Sequence, residues 1–93
     1  MIENVAPRFV FSYASARVKV YHANKGQGLL IHSHAYSHAT MCNAGSCVVR
    51  KEGKEVVMDK DTQPINLIAE EWHEVEALEN GTVFVNIFED GKL

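Results

Sequence analysis

The sequence is a succession of short segments rich in valine, isoleucine and aromatic residues, separated by turns that contain glycine or asparagine. These residue types favour β-strands. The clearest example is a hairpin in which residues 47–50 and 55–58 flank a turn at Gly53, because glycine tolerates the left-handed conformation of a tight turn. Many short strands separated by turns are typical of sandwiches and barrels. The pattern therefore predicts an all-β fold.

The predicted strands follow one another along almost the whole chain. Residues 17–22 alternate clearly, with Val18 and Val20 between polar or aromatic neighbours. No segment has a long apolar repeat at helical spacing. The strands that we predict are residues 8–13, 17–22, 29–34, 40–43, 47–50, 55–58, 65–68, 72–75 and 82–88.

Length and composition narrow the class of protein. A chain of 93 residues is expected to form one domain, residues 1–93. The net charge of -3 argues against a nucleic-acid partner, which needs a basic surface. The sequence has neither a run of about 20 apolar residues nor a secretory signal, so we expect a cytoplasmic protein without a membrane span. In that compartment Cys42 and Cys47 are expected to be free thiols.

Three of the five histidines, His32, His34 and His38, lie within seven residues. Residues two apart on a strand point to the same face, so His32 and His34 can converge on one ion, and a short link can turn His38 toward it. His73 can approach from another strand. Because imidazole is the commonest transition-metal ligand, the spacing predicts a site for one divalent transition metal. The alternative is a set of surface or hydrogen-bonded core histidines.

This segment resembles the first motif of the cupin family, which runs Gly, five residues, His-x-His, three or four residues, Glu, six residues, Gly. The frame is held here by Gly26, His32, His34, His38 and Gly45, with histidine in place of the usual glutamate. The second motif, Pro-x-Gly-x-x-His-x-x-x-Asn, keeps only its histidine, His73. The resemblance covers about residues 26–88.

The resemblance implies a single cupin (jelly-roll) β-barrel with a metal ion inside it. It implies His32, His34, His38 and His73 as the ligands, and pairing of two barrels through N-terminal strands. We therefore expect a homodimer with residues 8–13 in the contact. The expected metal is iron, with nickel, manganese or zinc as alternatives, since histidine suits several metals.

Four neutral imidazoles leave the charge of an ion uncompensated, which favours a small anionic ligand, above all a carboxylate. Candidate pocket residues are Asn86, a polar residue in an apolar strand, Tyr36, which lies between ligands, and Cys42, which shares strand parity with His38. Small cupins that open the ring of unsaturated uronate sugars resemble this chain in size and carry Asp-x-Phe where it has Asn86-Ile87-Phe88. Asparagine cannot replace aspartate as an acid or base.

Two functions fit these features. The first is a metal-dependent enzyme for a small anionic organic substrate, of the dioxygenase or sugar-acid isomerase/lyase type, acting through Lewis-acid polarisation or oxygen activation. The alternative is a non-catalytic binding module, in which the metal anchors an anionic effector or stabilises the barrel. Open coordination positions would support chemistry, and a closed tetrahedral site would support a structural role.

Overall fold

The structure, a computed structural model, describes residues 2–89. Between these two residues the chain forms strands, turns and loops, and it contains no helix that is long and apolar enough to cross a membrane. The all-β prediction is confirmed. In chain order the strands are β1 (Glu3–Asn4), β2 (Phe9–Tyr13), β3 (Ala16–Ala23), β4 (Gln27–His32), β5 (His38–Ala44), β6 (Ser46–Lys51), β7 (Lys54–Asp59), β8 (Ile65–Leu67), β9 (His73–Ala77) and β10 (Thr82–Glu89).

The strands form two five-stranded sheets, in the orders β1-β4-β9-β6-β7 and β2-β3-β10-β5-β8. We call them the first and the second sheet. Buried side chains from both sheets share one hydrophobic core, in which Phe84, Met58 and Val49 are fully buried. Burial of this apolar surface is the main force that holds the sheets together. The predicted jelly roll is confirmed, with two facing sheets rather than one continuous barrel wall.

Most strand positions agree with the sequence pattern to within two residues, and two differences bear on function. The strand β4 ends at His32, so His34 lies in the following loop rather than on the predicted strand 29–34. The two-residue strand β1 was not predicted, because it has no apolar alternation. It pairs in parallel with the start of β4.

The inner face of the second sheet carries a row of polar side chains. Tyr21 is buried on this face and stacks on Phe84, with ring centroids 4.8 Å apart. Two residues beyond Phe84 on β10 lies Asn86. It is paired with Lys19 on β3 and with Thr40 on β5. Residues directly opposite each other on antiparallel strands share a face. Lys19, Asn86 and Thr40 therefore form a row, the polar row, that faces the first sheet.

Candidate metal centre

His32 reaches the interior because β4 contains a bulge. Leu29 is paired with Val75 and His32 with His73, so three steps along β4 match two along β9. Strict alternation from the buried Leu29 would turn His32 outward and Ile31 inward. The extra residue reverses this, leaving Ile31 57% exposed and placing His32 beside His73. Bulges often re-aim a side chain at a functional site in this way.

Two hydrogen bonds satisfy the backbone groups that the bulge frees. The amide of Leu30 donates to Oδ1 of Asn4, at 3.1 Å, so the short strand β1 supports the bulge. The carbonyl of Leu30 lies 2.6 Å from Nδ1 of His32. The bulge therefore also orients the His32 ring.

Four imidazole rings meet between the sheets at this end of the molecule. His73 begins β9, His38 begins β5, and His34 lies in the loop between β4 and β5. The His73 centroid lies 4.5 Å from that of His32, 5.0 Å from that of His34 and 5.5 Å from that of His38. His34 and His38 are 5.0 Å apart. His38 and His73 are buried, and His32 and His34 are half-buried.

The Nδ1 atom of each ring lies near a backbone carbonyl. A carbonyl only accepts hydrogen bonds, so this contact favours the tautomer with hydrogen on Nδ1 and leaves the Nε2 lone pair for a metal. Histidine ligands are commonly oriented in this way. The carbonyls are those of Leu30 for His32 (2.6 Å), Tyr36 for His34 (3.3 Å), Ala39 for His38 (3.4 Å) and Glu71 for His73 (3.1 Å).

The chemistry of the cluster fits a metal ion. Within residues 2–89, Nε2 of His38 and Nε2 of His73 are buried and have no hydrogen-bond partner. An unsatisfied buried polar atom costs about 1–3 kcal/mol, a cost that coordination would remove. Burial, assisted by the neighbouring imidazoles, lowers the pKa of both His38 and His73 to about 4. Burial also lowers the pKa of His34. These rings are therefore neutral at pH 7, as metal ligands must be.

Three of the four predicted ligands come together most closely. The candidate donor atoms of His32, His34 and His73 all lie within 4.8 Å of one another. Two donors that each lie about 2.1 Å from one ion are at most about 4.2 Å apart, so the observed spacing is near what one ion requires. These three histidines can hold a metal ion. His38 borders the group, and its place as the fourth ligand stays a prediction.

No family model and no curated protein matches the sequence, but solved structures have a similar fold. KdgF from Halomonas sp. is 14% identical, with a TM-score of 0.78 over 87% of this chain and 74% of that one. An RmlC-like cupin from Shewanella frigidimarina is also 14% identical, with a TM-score of 0.75 over 89% of this chain and 74% of that one. This chain has the cupin fold.

A third structure with this fold is an uncharacterised conserved protein from Klebsiella pneumoniae that contains a double-stranded β-helix domain. It is 20% identical, with a TM-score of 0.72, over 92% of this chain and 78% of that one. At such identities the likeness shows the fold alone. The histidine cluster, described from the residues themselves, carries the functional argument.

The candidate pocket residues occupy different places in the cupin fold. Tyr36 stacks on His34, with centroids 4.5 Å apart and planes at 6°, and thus lies at the cluster. Asn86 is buried, and its Oδ1 accepts a hydrogen bond from the Thr40 hydroxyl. Cys42 lies in the hydrophobic core beside Cys47, and both are free thiols. Burial raises the pKa of Cys42, and it raises the pKa of Cys47 to about 12. The contact of Tyr36, Asn86 and Cys42 with a ligand stays a prediction.

Thr40 and Lys19 neighbour the histidine cluster, and the sequence did not predict them as candidates; Thr40 Oγ1 lies 3.2 Å from Nδ1 of His38. Lys19 is half-buried, and its Nζ lies 5.4 Å from the centroid of the Phe88 ring. Its positive charge also contributes to lowering the pKa of His34. The sequence feature that could have indicated Lys19 is the alternation of residues 17–21. Alternation alone, however, does not show which face of a strand is turned toward the interior.

Proposed function

We propose that this cupin domain binds one divalent transition metal through His32, His34, His38 and His73 and acts on a small organic anion. The observation that carries the proposal is the buried, unpartnered Nε2 atoms of His38 and His73 beside two further imidazoles. Iron is the metal we propose first, with nickel, manganese and zinc as alternatives, because imidazole binds all of them.

The chain's own residues prepare this site in three ways. Carbonyl contacts favour the metal-binding tautomer of His32 and His73, and burial keeps His38 and His73 neutral. Tyr36, stacked on His34, limits the motion of a half-buried ligand ring. When bound, the metal supplies Lewis-acid polarisation or oxygen activation, the chemistry of a dioxygenase or a sugar-acid isomerase or lyase.

The charge around the cluster supports an anionic ligand. Within the described part of the chain, Lys19 on the inner polar row has no carboxylate partner. A lysine ammonium and a metal ion held by neutral ligands would place two uncompensated positive charges near one another. A carboxylate that lies between them compensates both. We therefore propose a small carboxylate as the ligand, with Lys19 as its second anchor.

A second candidate function is a non-catalytic binding module stabilised by its metal. It is favoured by the origin of the ligands, since His32 and His73 belong to the first sheet and His38 to the second. An ion bound to all three cross-links the sheets and stabilises the folded state. Turnover of a carboxylate by the metal-loaded protein would decide for the enzyme, and tight binding without turnover would decide for the module.

Replacing Lys19 with methionine is expected to weaken binding of small carboxylates at least tenfold, because the change removes the positive charge and keeps the length of the side chain. The metal content should stay at the wild-type level, since lysine is not among the ligands. Isothermal titration calorimetry with a panel of small carboxylates measures the affinity. The control is Lys60→Met, at a side chain that is 71% exposed in the β7–β8 loop.

The same titration on metal-free protein separates the two anchors. Affinity should fall when either the metal or the Lys19 ammonium is absent, and should fall most when both are. Equal affinity of the metal-loaded and metal-free proteins would show that the ion is not an anchor. A structural role for the metal would then be the better explanation.

We also propose that the protein is a homodimer in contact through β2. This strand lies at the edge of the second sheet, and its side chains include Phe9, Phe11 and Tyr13, which are 54%, 49% and 77% exposed. An uncovered apolar edge strand invites pairing with another chain. Pairing of two β2 strands would cover it with two-fold symmetry.

Light scattering should give twice the chain mass of 10.4 kDa for the wild type and the monomer mass for the double variant Phe9→Lys/Tyr13→Lys. Charged side chains on the edge oppose strand pairing. Val57→Lys is the matched control, because Val57 is 62% exposed on β7, the edge strand of the first sheet, and should leave the dimer intact. A monomeric wild type, or a double variant that still dimerises, would contradict this arrangement.

A further inference from the structure

His38 differs from the other three histidines in what holds its Nδ1 atom. The carbonyl of Ala39 is 3.4 Å away, which is long for a hydrogen bond, and the hydroxyl of Thr40 is closer, at 3.2 Å. A carbonyl can only accept, but a hydroxyl can either donate or accept. The direction of the Thr40 hydroxyl therefore decides which nitrogen of His38 carries the hydrogen.

That direction is determined one residue further along the polar row. The Thr40 hydroxyl donates to Oδ1 of Asn86, at 2.7 Å, the shortest contact of this chain of side chains. Thr40 is 1% exposed and Asn86 is 7% exposed, so little water competes with this bond. A hydroxyl has one hydrogen. Once it is donated to Asn86, the oxygen can only accept from His38, whose Nδ1 must then carry its hydrogen.

The Asn86 amide also neighbours Tyr21. Burial raises the pKa of Tyr21, and the Asn86 side chain lowers it, as an amide N–H that faces the phenol oxygen does. If the amide were rotated by 180°, its NH₂ would face Thr40. The Thr40 hydroxyl would then donate to Nδ1 of His38, and the hydrogen of that ring would move to Nε2.

We propose that Thr40, held by Asn86, is the positioning residue that makes His38 a metal ligand by keeping its hydrogen on Nδ1. The proposal rests on the metal-binding function proposed above and deepens it. Metal binding by His38 therefore depends on the direction of a hydroxyl group. The Nδ1 atoms of the other three rings lie near carbonyls, which can only accept a hydrogen bond.

The test compares Thr40→Val, which keeps the shape and removes the hydroxyl, with Thr40→Ser, which keeps the hydroxyl. Long-range ¹H–¹⁵N NMR spectra of metal-free protein report the tautomer of each histidine. In the wild type and in Thr40→Ser, His38 should have its hydrogen on Nδ1. In Thr40→Val only the long contact with the Ala39 carbonyl, at 3.4 Å, is left to favour hydrogen on Nδ1, so a fraction of His38 should shift to Nε2. His32, whose Nδ1 lies 2.6 Å from a carbonyl, should not change.

The second readout is the affinity for Co²⁺, measured by competition with a chromophoric chelator. Loss of the group that orients a histidine ligand typically costs 10- to 100-fold in metal affinity. We expect a loss of this size in Thr40→Val, recovery in Thr40→Ser, and a changed Co²⁺ visible spectrum in Thr40→Val because one ligand is lost.

A wild-type His38 with its hydrogen on Nε2 would overturn the proposal without any variant, even if Thr40→Val failed to fold. Unchanged tautomer and unchanged Co²⁺ affinity in a folded Thr40→Val would overturn it as well. If wild-type protein bound no Co²⁺ at all, the proposed metal-binding function would fail. The tautomer measurement would then still decide whether Thr40 sets the state of His38.

Discussion

Replacing His73 with alanine is expected to remove the metal from the protein. The His73 ring centroid lies within 5.5 Å of those of the three other imidazoles, and the side chain is 1% exposed. Its loss leaves at most two histidines from the closest group of three. Elemental analysis of protein purified without nickel resin should find about one transition-metal ion per chain in the wild type and less than about a tenth of that in His73→Ala, since ligand loss should exceed the 10- to 100-fold cost of losing an orienting group.

The metal should also stabilise the fold, so the same variant should lose its response to a chelator. An ion present at 1,000 times its dissociation constant stabilises the folded state by about 4.1 kcal/mol. In a chain of this size each kcal/mol changes the melting temperature by roughly 4–8 °C. Adding a chelator should therefore lower the wild-type melting temperature by more than about 10 °C and leave that of His73→Ala unchanged.

His22→Ala is the control for both measurements. This histidine lies on β3 and is exposed, and its ring is 6.1 Å from that of Phe9 rather than at the cluster. Its removal should change neither the metal content nor the effect of the chelator. Melting temperatures of wild-type protein that agree with and without chelator at neutral pH would show that the metal contributes nothing to the fold. A metal-free wild type that takes up neither iron, nickel nor zinc would refute the site itself.

The fold could be predicted because its signals are local. Runs of valine and aromatic residues and the turn at Gly53 are properties of neighbouring residues, and the strands formed where these signals indicated. The strand β1 was not predicted because its two residues are held by pairing with Gln27 and Gly28 and by the hydrogen bond between Leu30 and Asn4. Such a strand exists through tertiary contact, and nothing in its own sequence marks it.

The candidate metal centre was predictable only where its signals are also local in the sequence. The clustering of His32, His34 and His38 is local, and three histidines of the predicted set did come together. The way in which His32 points inward depends on a bulge opposite β9, and a one-residue shift of this kind leaves no mark in a single sequence. Lys19 and Thr40 were missed because their role depends on facing Asn86, a fact of sheet register.

The metal-free protein is expected to lose stability as the pH falls from about 6.5 toward 4. Burial lowers the pKa of His38 and His73 to about 4, whereas an unfolded chain has histidine pKa values near 6.5. Within this window the unfolded state binds protons that the folded state excludes, so acid favours unfolding. Well above pH 6.5, from about pH 7.5, both states are neutral at these positions and the contribution is constant.

The size of the effect follows from the same pKa difference. Between pH 7 and pH 5 each of these two histidines should lower the free energy of unfolding by on the order of 2 kcal/mol. Urea unfolding of chelator-treated protein at several pH values in this range measures the loss. Stopping at pH 5 limits the contribution of aspartate and glutamate, whose ordinary pKa values lie near 4.

Variants identify the groups responsible for this pH dependence. His38→Gln removes one of the rings whose pKa burial lowers and should reduce the pH dependence, and His73 and His34 should account for the remainder. With metal present the dependence should be steeper, because protons then compete with the ion for the same Nε2 lone pairs and metal release adds to the loss. A metal-free protein whose stability is constant from pH 7 to pH 5 would show that His38 and His73 bind protons as readily folded as unfolded. The cluster would then not be the buried, neutral set of imidazoles on which metal binding depends.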